Sequence, residues 1–250
     1  MIGAIRIVQR NYRVWHKYKL ASLVGNLGQP LLFLVAFGLG MSQQVPIMEG
    51  YTYLQYIAPG LAASAVMYSA SFETTYGSFT RLSTQSTFEG ILSTPITVEE
   101  LALGEILWGA GKGLLSGGIM MAVMPLFGLI PSAWAIGALP VLFIEGIFFA
   151  AMGLIMTALA ENYEFFNYFI SLLITPLFLF SGIFFTLSSL PDGTRLLFEI
   201  LPLTPAVTLT RMLCYGNFTE PWLLKLLGLT AMAALTSWLA AFLLRRRLIQ

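Results

Sequence analysis

Residues 101–159 read LALGEILWGAGKGLLSGGIMMAVMPLFGLIPSAWAIGALPVLFIEGIFFAAMGLIMTAL, and the only charges among them are Glu105, Lys112 and Glu145. A helix that crosses about 30 Å of hydrocarbon needs ~20 consecutive apolar residues, so this stretch has room for two crossings. Gly128-Leu129-Ile130-Pro131-Ser132 is a turn signal at the right distance to divide it. The reading is a membrane hairpin, 101–127 and 133–159, in a chain whose exterior is lipid. Composition agrees, because 57% of the 250 residues are hydrophobic and 10% charged, against about 25% charged in an average soluble domain. Thirteen basic and twelve acidic side chains cannot cover a water-facing surface of this size. A net charge of +1 gives no field to recruit nucleic acid. One cysteine, Cys214, excludes an intramolecular disulfide, and one histidine, His16, leaves no His-rich metal cluster.

Working outward, charge-free runs place a first span at 20–41 and a second at 53–79, the latter continuing in helical register past a lone Glu73. A fifth falls at 165–187 and a sixth at 223–244. Between these two, Leu196–Leu203 and Ala206–Leu213 are apolar but short, and Pro202 and Pro205 divide them. The stretch 188–221 is therefore expected to be an extracytoplasmic re-entrant segment. Arg6, Arg10, Arg13, Lys17 and Lys19 precede the first span, and Arg245, Arg246 and Arg247 follow the last. The positive-inside rule puts both termini in the cytoplasm, which requires an even number of crossings. The expected fold class is an all-α polytopic membrane protein: six transmembrane helices in a single domain over 1–250. No secretory signal peptide is expected, since the first apolar run follows a basic stretch and lacks a small-residue cleavage site.

Two cytoplasmic elements stand out. At ~100° per residue, Arg6, Arg10, Arg13 and Lys17 fall on one side of an N-terminal helix, with Ile5, Val8, Tyr12 and Trp15 roughly opposite. Such a helix over 1–19 lies on the inner leaflet, its basic face toward anionic headgroups or an acidic partner, or serves only to fix topology. The loop 81–100 carries Phe88, Ile91 and Leu92 among polar residues, then Thr94-Pro95. These apolar groups need a cover, either the bilayer surface or a partner protein. Thr97-Val98-Glu99-Glu100 fits a capping box that starts the third span.

The chemistry that is missing narrows the function. Gly109-Ala110-Gly111-Lys112-Gly113 approaches a phosphate-cradling loop, but Ile106 stands where the first Gly belongs and Gly113 where the hydroxyl belongs. No nucleotide site or cofactor is expected in this chain. His16 lies far from any membrane serine, and no His-Glu-x-x-His or Cys pair offers a metal site, so no catalytic residue is nominated. Gly109, Gly113 and Gly117 recur every four residues as a ladder for close helix packing. Ser69, Glu73, Tyr76 and Thr80 on the second span, and Asn167, Ser171 and Thr175 on the fifth, form two polar stripes. These line a shared wet interior or simply hydrogen-bond between helices. Glu73, Glu105, Lys112 and Glu145 in or beside spans leave open an ion-coupled secondary transporter, although no repeat with broken helices supports one.

An ordered set of short motifs covers essentially the whole chain. It opens with Arg10-Asn11-Tyr12, Trp15, Lys17, Ala21-Ser22, Gly25-Asn26 and Pro30. It continues with Ala58-Pro59-Gly60, Phe72-Glu73, Arg81, Leu92-Ser93-Thr94-Pro95 and Leu103-Gly104-Glu105, then Ile174-Thr175-Pro176, Ser181-Gly182, Leu201-Pro202-Leu203 and Leu244-Arg245-Arg246-Arg247-Leu248. No one motif is specific, but together they resemble the membrane subunit of ABC type-2 exporters, in particular the nodulation-type lipo-oligosaccharide export permeases. The resemblance implies a permease in the bacterial inner membrane. A second copy of this subunit and two copies of a separate ATPase, which holds ATP and magnesium, would export an amphiphile such as a lipo-oligosaccharide, glycolipid, polysaccharide or drug. Under it, Phe88, Glu89, Ile91, Leu92, Thr94 and Pro95 take the role of ATPase-coupling helix. Arg6, Arg10, Arg13, Trp15 and Lys17 form the interface helix against membrane lipid, and Ser69, Glu73, Tyr76, Asn167, Ser171 and Thr175 are assigned to the substrate path. The segment near Leu196 to Leu213 becomes an outer gate.

Overall fold

The protein is described as a computed structural model over residues 2–40, 47–218 and 221–249. Met1, Met41, Thr219, Glu220 and Gln250, which fall within expected segments, lie outside the described residues. Among those described the regular structure is helical, and the one pairing of extended backbone is a bridge between Met48 and Tyr51.

The centre is α3 (Tyr53–Phe72), preceded by α1 (Ile2–Trp15) and α2 (Lys19–Gly40). Thr52 starts α3 with a capping box, its hydroxyl taking the Gln55 amide while the Gln55 side chain returns to the Thr52 amide. From Tyr56 to Ala70 every residue but Tyr68 is buried. A helix wrapped by protein needs no lipid-facing stripe, so Ser64, Ser69 and Ser71 can sit in it without meeting hydrocarbon. After Phe72 the helix runs on through π-helical turns at Glu73–Gly77 and Thr80–Thr84, past the expected end at Phe79.

Against α3 pack α5 (Val98–Val123) and α6 (Ala138–Leu159), the expected hairpin, with α4 (Thr87–Leu92) in the loop before them. The glycine ladder makes the contact possible. A methyl group on Gly113 would stand 3.0 Å from Val66 Cγ1 and 3.1 Å from the Val66 carbonyl, and one on Gly117 would press into Val66. On α6, Gly146 comes equally close to the Ala110 carbonyl, at 3.1 Å. The three backbones therefore approach as small-residue membrane interfaces do. The turn between α5 and α6 falls where expected, with Gly128 at φ 68° ending the first helix.

Among the described residues three helices are long and apolar enough to cross a membrane: Val98–Phe127, Ala133–Leu159 and α11 (Trp222–Leu248). They become four if α9 (Asp192–Glu199) and α10 (Leu203–Tyr215), bent by 82°, count as one. The fifth expected span is shorter than the charge-free run: α7 (Phe165–Phe169), a π turn at Ile170–Ile174 and α8 (Thr175–Phe180) form one apolar helix that stops at Phe180. Gly182, at φ 72°, then takes a left-handed conformation that glycine accepts without strain and the chain turns away. Pro205 does not divide its segment as expected. It lies in the first turn of α10, where its missing N–H has no helical partner to lose.

Thr97 caps α5 as expected, accepting from the Glu100 amide at 3.2 Å. The Glu100 carboxylate also accepts from the Gly3 amide at 3.2 Å and fastens the start of α1 to α5. At the far end, Arg247 of α11 donates to the carbonyls of Thr157, Ala158 and Ala160, closing the C-terminus of α6 with a cation.

Candidate functional site

The two π turns of the second span set the site. A π turn widens the helix and shifts the side chains that follow it, and here Glu73, Ser78 and Arg81 all engage α5. Gly77 lies between the ion-paired residues, and a Cβ there would stand 3.0 Å from Glu73 Oε1 and 3.4 Å from an Arg81 terminal nitrogen. The groove has room for the salt bridge and for no side chain at 77.

Arg81 bridges two carboxylates. It donates to Glu105 from Nε at 3.0 Å and from a terminal nitrogen at 2.7 Å, and to Glu73 at 3.0 Å. Glu73 also accepts from the indole of Trp108 at 2.8 Å and from Lys112 at 2.6 Å. Glu105, with no exposed surface, accepts from Ser78 at 2.6 Å and from Asn11 of α1 at 2.8 Å. Glu105, Trp108 and Lys112 recur at helical spacing on one face of α5, so one side of that helix reads out both acids. Two acids and two bases cancel, and every carboxylate oxygen has a donor, which a buried ionic cluster requires. Beside the cluster lies a cavity of about 220 Å³ lined by Arg10, Tyr18, Thr80, Arg81, Gln85 and Trp108. Burial first, then the charge of Arg81, pulls the Arg10 guanidinium below its usual pKa, and burial pushes the Tyr18 phenol up.

Glu145 has a different environment. It is wholly buried on α6, and among the described residues neither carboxylate oxygen has a hydrogen-bond partner. The four charges grouped as a relay thus divide into three that the protein itself pairs and one that stands apart.

Two of the expected faces are corrected. On α1 the buried side is Ala4, Ile7, Asn11 and Trp15, packed on α5, where a Cβ on Gly104 would stand 2.7 Å from that of Ile7. Ile5 and Tyr12 are exposed together with Arg6, Arg13 and Lys17, and Arg10 is half-buried with donors to Asn11 and Thr87. The helix is three-sided, with one side on protein, one apolar and one basic, because the protein-facing stripe falls between the other two. In the loop, Phe88 is fully buried against the rest of the chain, so it is not the exposed anchor that its neighbours suggested. Ile91 and Leu92 are half-buried, and Glu89, Thr94 and Pro95 are exposed.

Among the described residues no side-chain hydrogen bond joins the two polar stripes. Ser69 donates to the Lys112 carbonyl of α5 at 3.2 Å, and Glu73 belongs to the ionic cluster. The Tyr76 ring packs on Phe166 with centroids 5.1 Å apart, whereas Asn167 and Ser171 are exposed and Thr175 is half-buried. Sequence reasoning gave Arg81, Asn11, Ser78 and Trp108 no site role. The signal it had was the helical spacing of Glu105, Trp108 and Lys112 and the lone Glu73 facing them.

Residues 4–215 match the sequence profile of the ABC-2 type transporter family. The chain is 35% identical over 245 residues to Nodulation protein J of Rhizobium meliloti (strain 1021), covering 98% of this chain and 94% of that protein. Nodulation protein J of Sinorhizobium fredii gives the same figures, 35% over 245 residues, 98% and 94%. The Inner membrane transport permease YadH of Escherichia coli (strain K12) is 25% identical over 199 residues, 78% of this chain and 75% of that one.

Proposed function

The chain belongs to the ABC-2 type transporter family as a multi-pass membrane permease subunit, and we propose that it is the transmembrane half of an ATP-driven exporter. Two copies of it would pair with two copies of a separate ATPase subunit and carry an amphiphilic substrate, a lipo-oligosaccharide or related glycolipid, out of the cytoplasm. The observation that carries this reading is the match along nearly the whole length to Nodulation protein J. In this reading the chain crosses a bacterial inner membrane six times, with both termini cytoplasmic. α2, α3 and the shorter helix Phe165–Phe180 bring the three long apolar helices to that count. ATP and magnesium belong to the partner.

The exposed edge of the 81–100 loop, with Glu89, Thr94 and Pro95 flanking half-buried Ile91 and Leu92, is the surface offered to the ATPase. Phe88 anchors it from inside. The exposed Asn167 and Ser171 then face the second copy, and the path runs between copies. Against the ion-coupled alternative stands the internal pairing of Glu73, Glu105 and Lys112. The test is transport into inside-out vesicles holding this subunit and its ATPase partner. Export should need ATP and survive collapse of the proton gradient. Export that fails with the gradient while ATP is intact would overturn the proposal.

A further inference from the structure

At the end of the molecule opposite the ionic cluster, α10 brings Arg211 against the first turn of α3. Its Nε donates to the Tyr56 carbonyl at 3.2 Å and a terminal nitrogen donates to the Gly182 carbonyl at 2.9 Å. The guanidinium carbon lies 3.8 Å from the centre of the Tyr56 ring. The Tyr56 hydroxyl donates in turn to the Phe185 carbonyl at 3.1 Å. The arginine is thus fixed on three sides by neutral groups, and among the described residues it pairs with no carboxylate. On the same cavity wall Ser181 is 1% exposed, and its hydroxyl has no hydrogen-bond partner among the described residues. Both residues line a cavity of about 100 Å³, several times the ~10–15 Å³ that one water needs by this measure. Of the other charges on its wall, Arg195 and Glu199 bond to each other at 2.7 Å, Lys225 is half-buried, and Glu49 lies on the exposed rim.

A pinned guanidinium with unused N–H groups is a fork for an oxyanion. An orphaned buried hydroxyl beside it adds a donor in a different direction. A carboxylate would commit both oxygens to the fork, while a tetrahedral phosphoryl group has a third oxygen for Ser181. We propose that the cavity formed by Arg211 and Ser181 binds a phosphoryl oxyanion, as a lipid headgroup or as free phosphate. This goes beyond the exporter reading and rests on it only for which face of the membrane the cavity opens to.

The experiment uses the full chain in maltoside micelles, which contain no phosphate, titrated with radiolabelled inorganic phosphate by equilibrium dialysis. Saturable binding is expected. Ser181→Ala, which removes one unpartnered hydroxyl and leaves the fold unchanged by thermal melting, should weaken it by about ten-fold, the weight of one hydrogen bond to a charged group. Arg211→Gln should weaken it by about a hundred-fold. Because that change also loosens α10 from α3, Arg211→Lys, which keeps the charge and loses the fork, should fall between. Arg246→Gln, a cation at the opposite end, should bind as the native chain does. Competition by short-chain phosphatidylglycerol at lower concentration than phosphate assigns the site to a headgroup, and its failure to compete assigns it to the free ion. No saturable binding by the native chain, or binding by Ser181→Ala and Arg211→Lys as tight as by the native chain, overturns the site. Labelling of Ser188→Cys, in a Cys214→Ser background, by an impermeant thiol reagent from the cytoplasmic side would overturn the orientation and leave the binding result standing.

Discussion

Replacing Arg81 with methionine removes four contacts at once: two donors to Glu105 at 3.0 and 2.7 Å, one to Glu73 at 3.0 Å and one to Ser78 at 3.2 Å. Methionine fills much of the same volume, so the change is chiefly electrostatic. Two buried carboxylates then face Lys112 alone, and the lysine is bonded to Glu73, not Glu105. An uncompensated charge left by breaking a buried pair costs about 3–5 kcal/mol. Asn11 and Ser78 still donate to Glu105, which holds the loss within that range. The same arithmetic predicts a rescue. Glu105→Gln in the Arg81→Met background removes the surplus negative charge, keeps an oxygen acceptor for Asn11, gives the Ser78 hydroxyl an amide donor to accept from, and restores one lysine to one acid. Each single change should therefore hurt more than its share of the double change, with a coupling of about 2 kcal/mol or more, toward the upper end for directly bonded residues. The assay is thermal unfolding in detergent of the native chain, both single variants and the double variant, with cellular abundance as a second readout. An Arg81→Met chain as stable as the native one, or additive effects of the two changes, would refute the claim that these groups form one neutral unit.

Four other outcomes follow from the packing. Glu145→Leu should raise stability by about 1–3 kcal/mol, since it removes two buried oxygens that have no partner; a lower melting temperature would show that the carboxyl has work to do. Phe88→Ala should cost about 3–5 kcal/mol and lower abundance, as expected of a fully buried aromatic. Leu92→Ala, half-buried, should leave abundance near normal while weakening co-purification of the ATPase subunit, and unchanged co-purification and export would remove this helix from the interface. Gly109→Val should destabilise by about 1–3 kcal/mol, because even a Cβ there stands 2.6 Å from Thr74 Cγ2 and 3.0 Å from the Ala150 Cβ; a melting curve matching the native one would mean that the helices have slack at this crossing.

The sequence by itself determined whatever depends on local chain chemistry and on the solvent the chain must face. Charge-free runs of membrane length, the turn at Gly128 to Ser132, the start of α5 at Thr97 and the glycine ladder are all properties of neighbouring residues. Hydrocarbon and backbone geometry act on those residues directly. Which polar groups meet could not be settled that way. Glu73, Glu105 and Lys112 were visible as costly charges, but their partner Arg81 is brought in by two π turns, and Asn11 arrives on a helix far away in the chain. Whether a side chain faces lipid, protein or water also depends on which helix lies beside it. Phe88 looked exposed because its neighbours are polar, and protein, not water or lipid, encloses the Ser69 that the polar stripe pointed to. Hydropathy measures the cost of leaving water and says nothing of the partner met on arrival. That partner is supplied by elements distant in sequence, so tertiary structure alone decided the ionic cluster at one end of α3 and the arginine-lined cavity at the other.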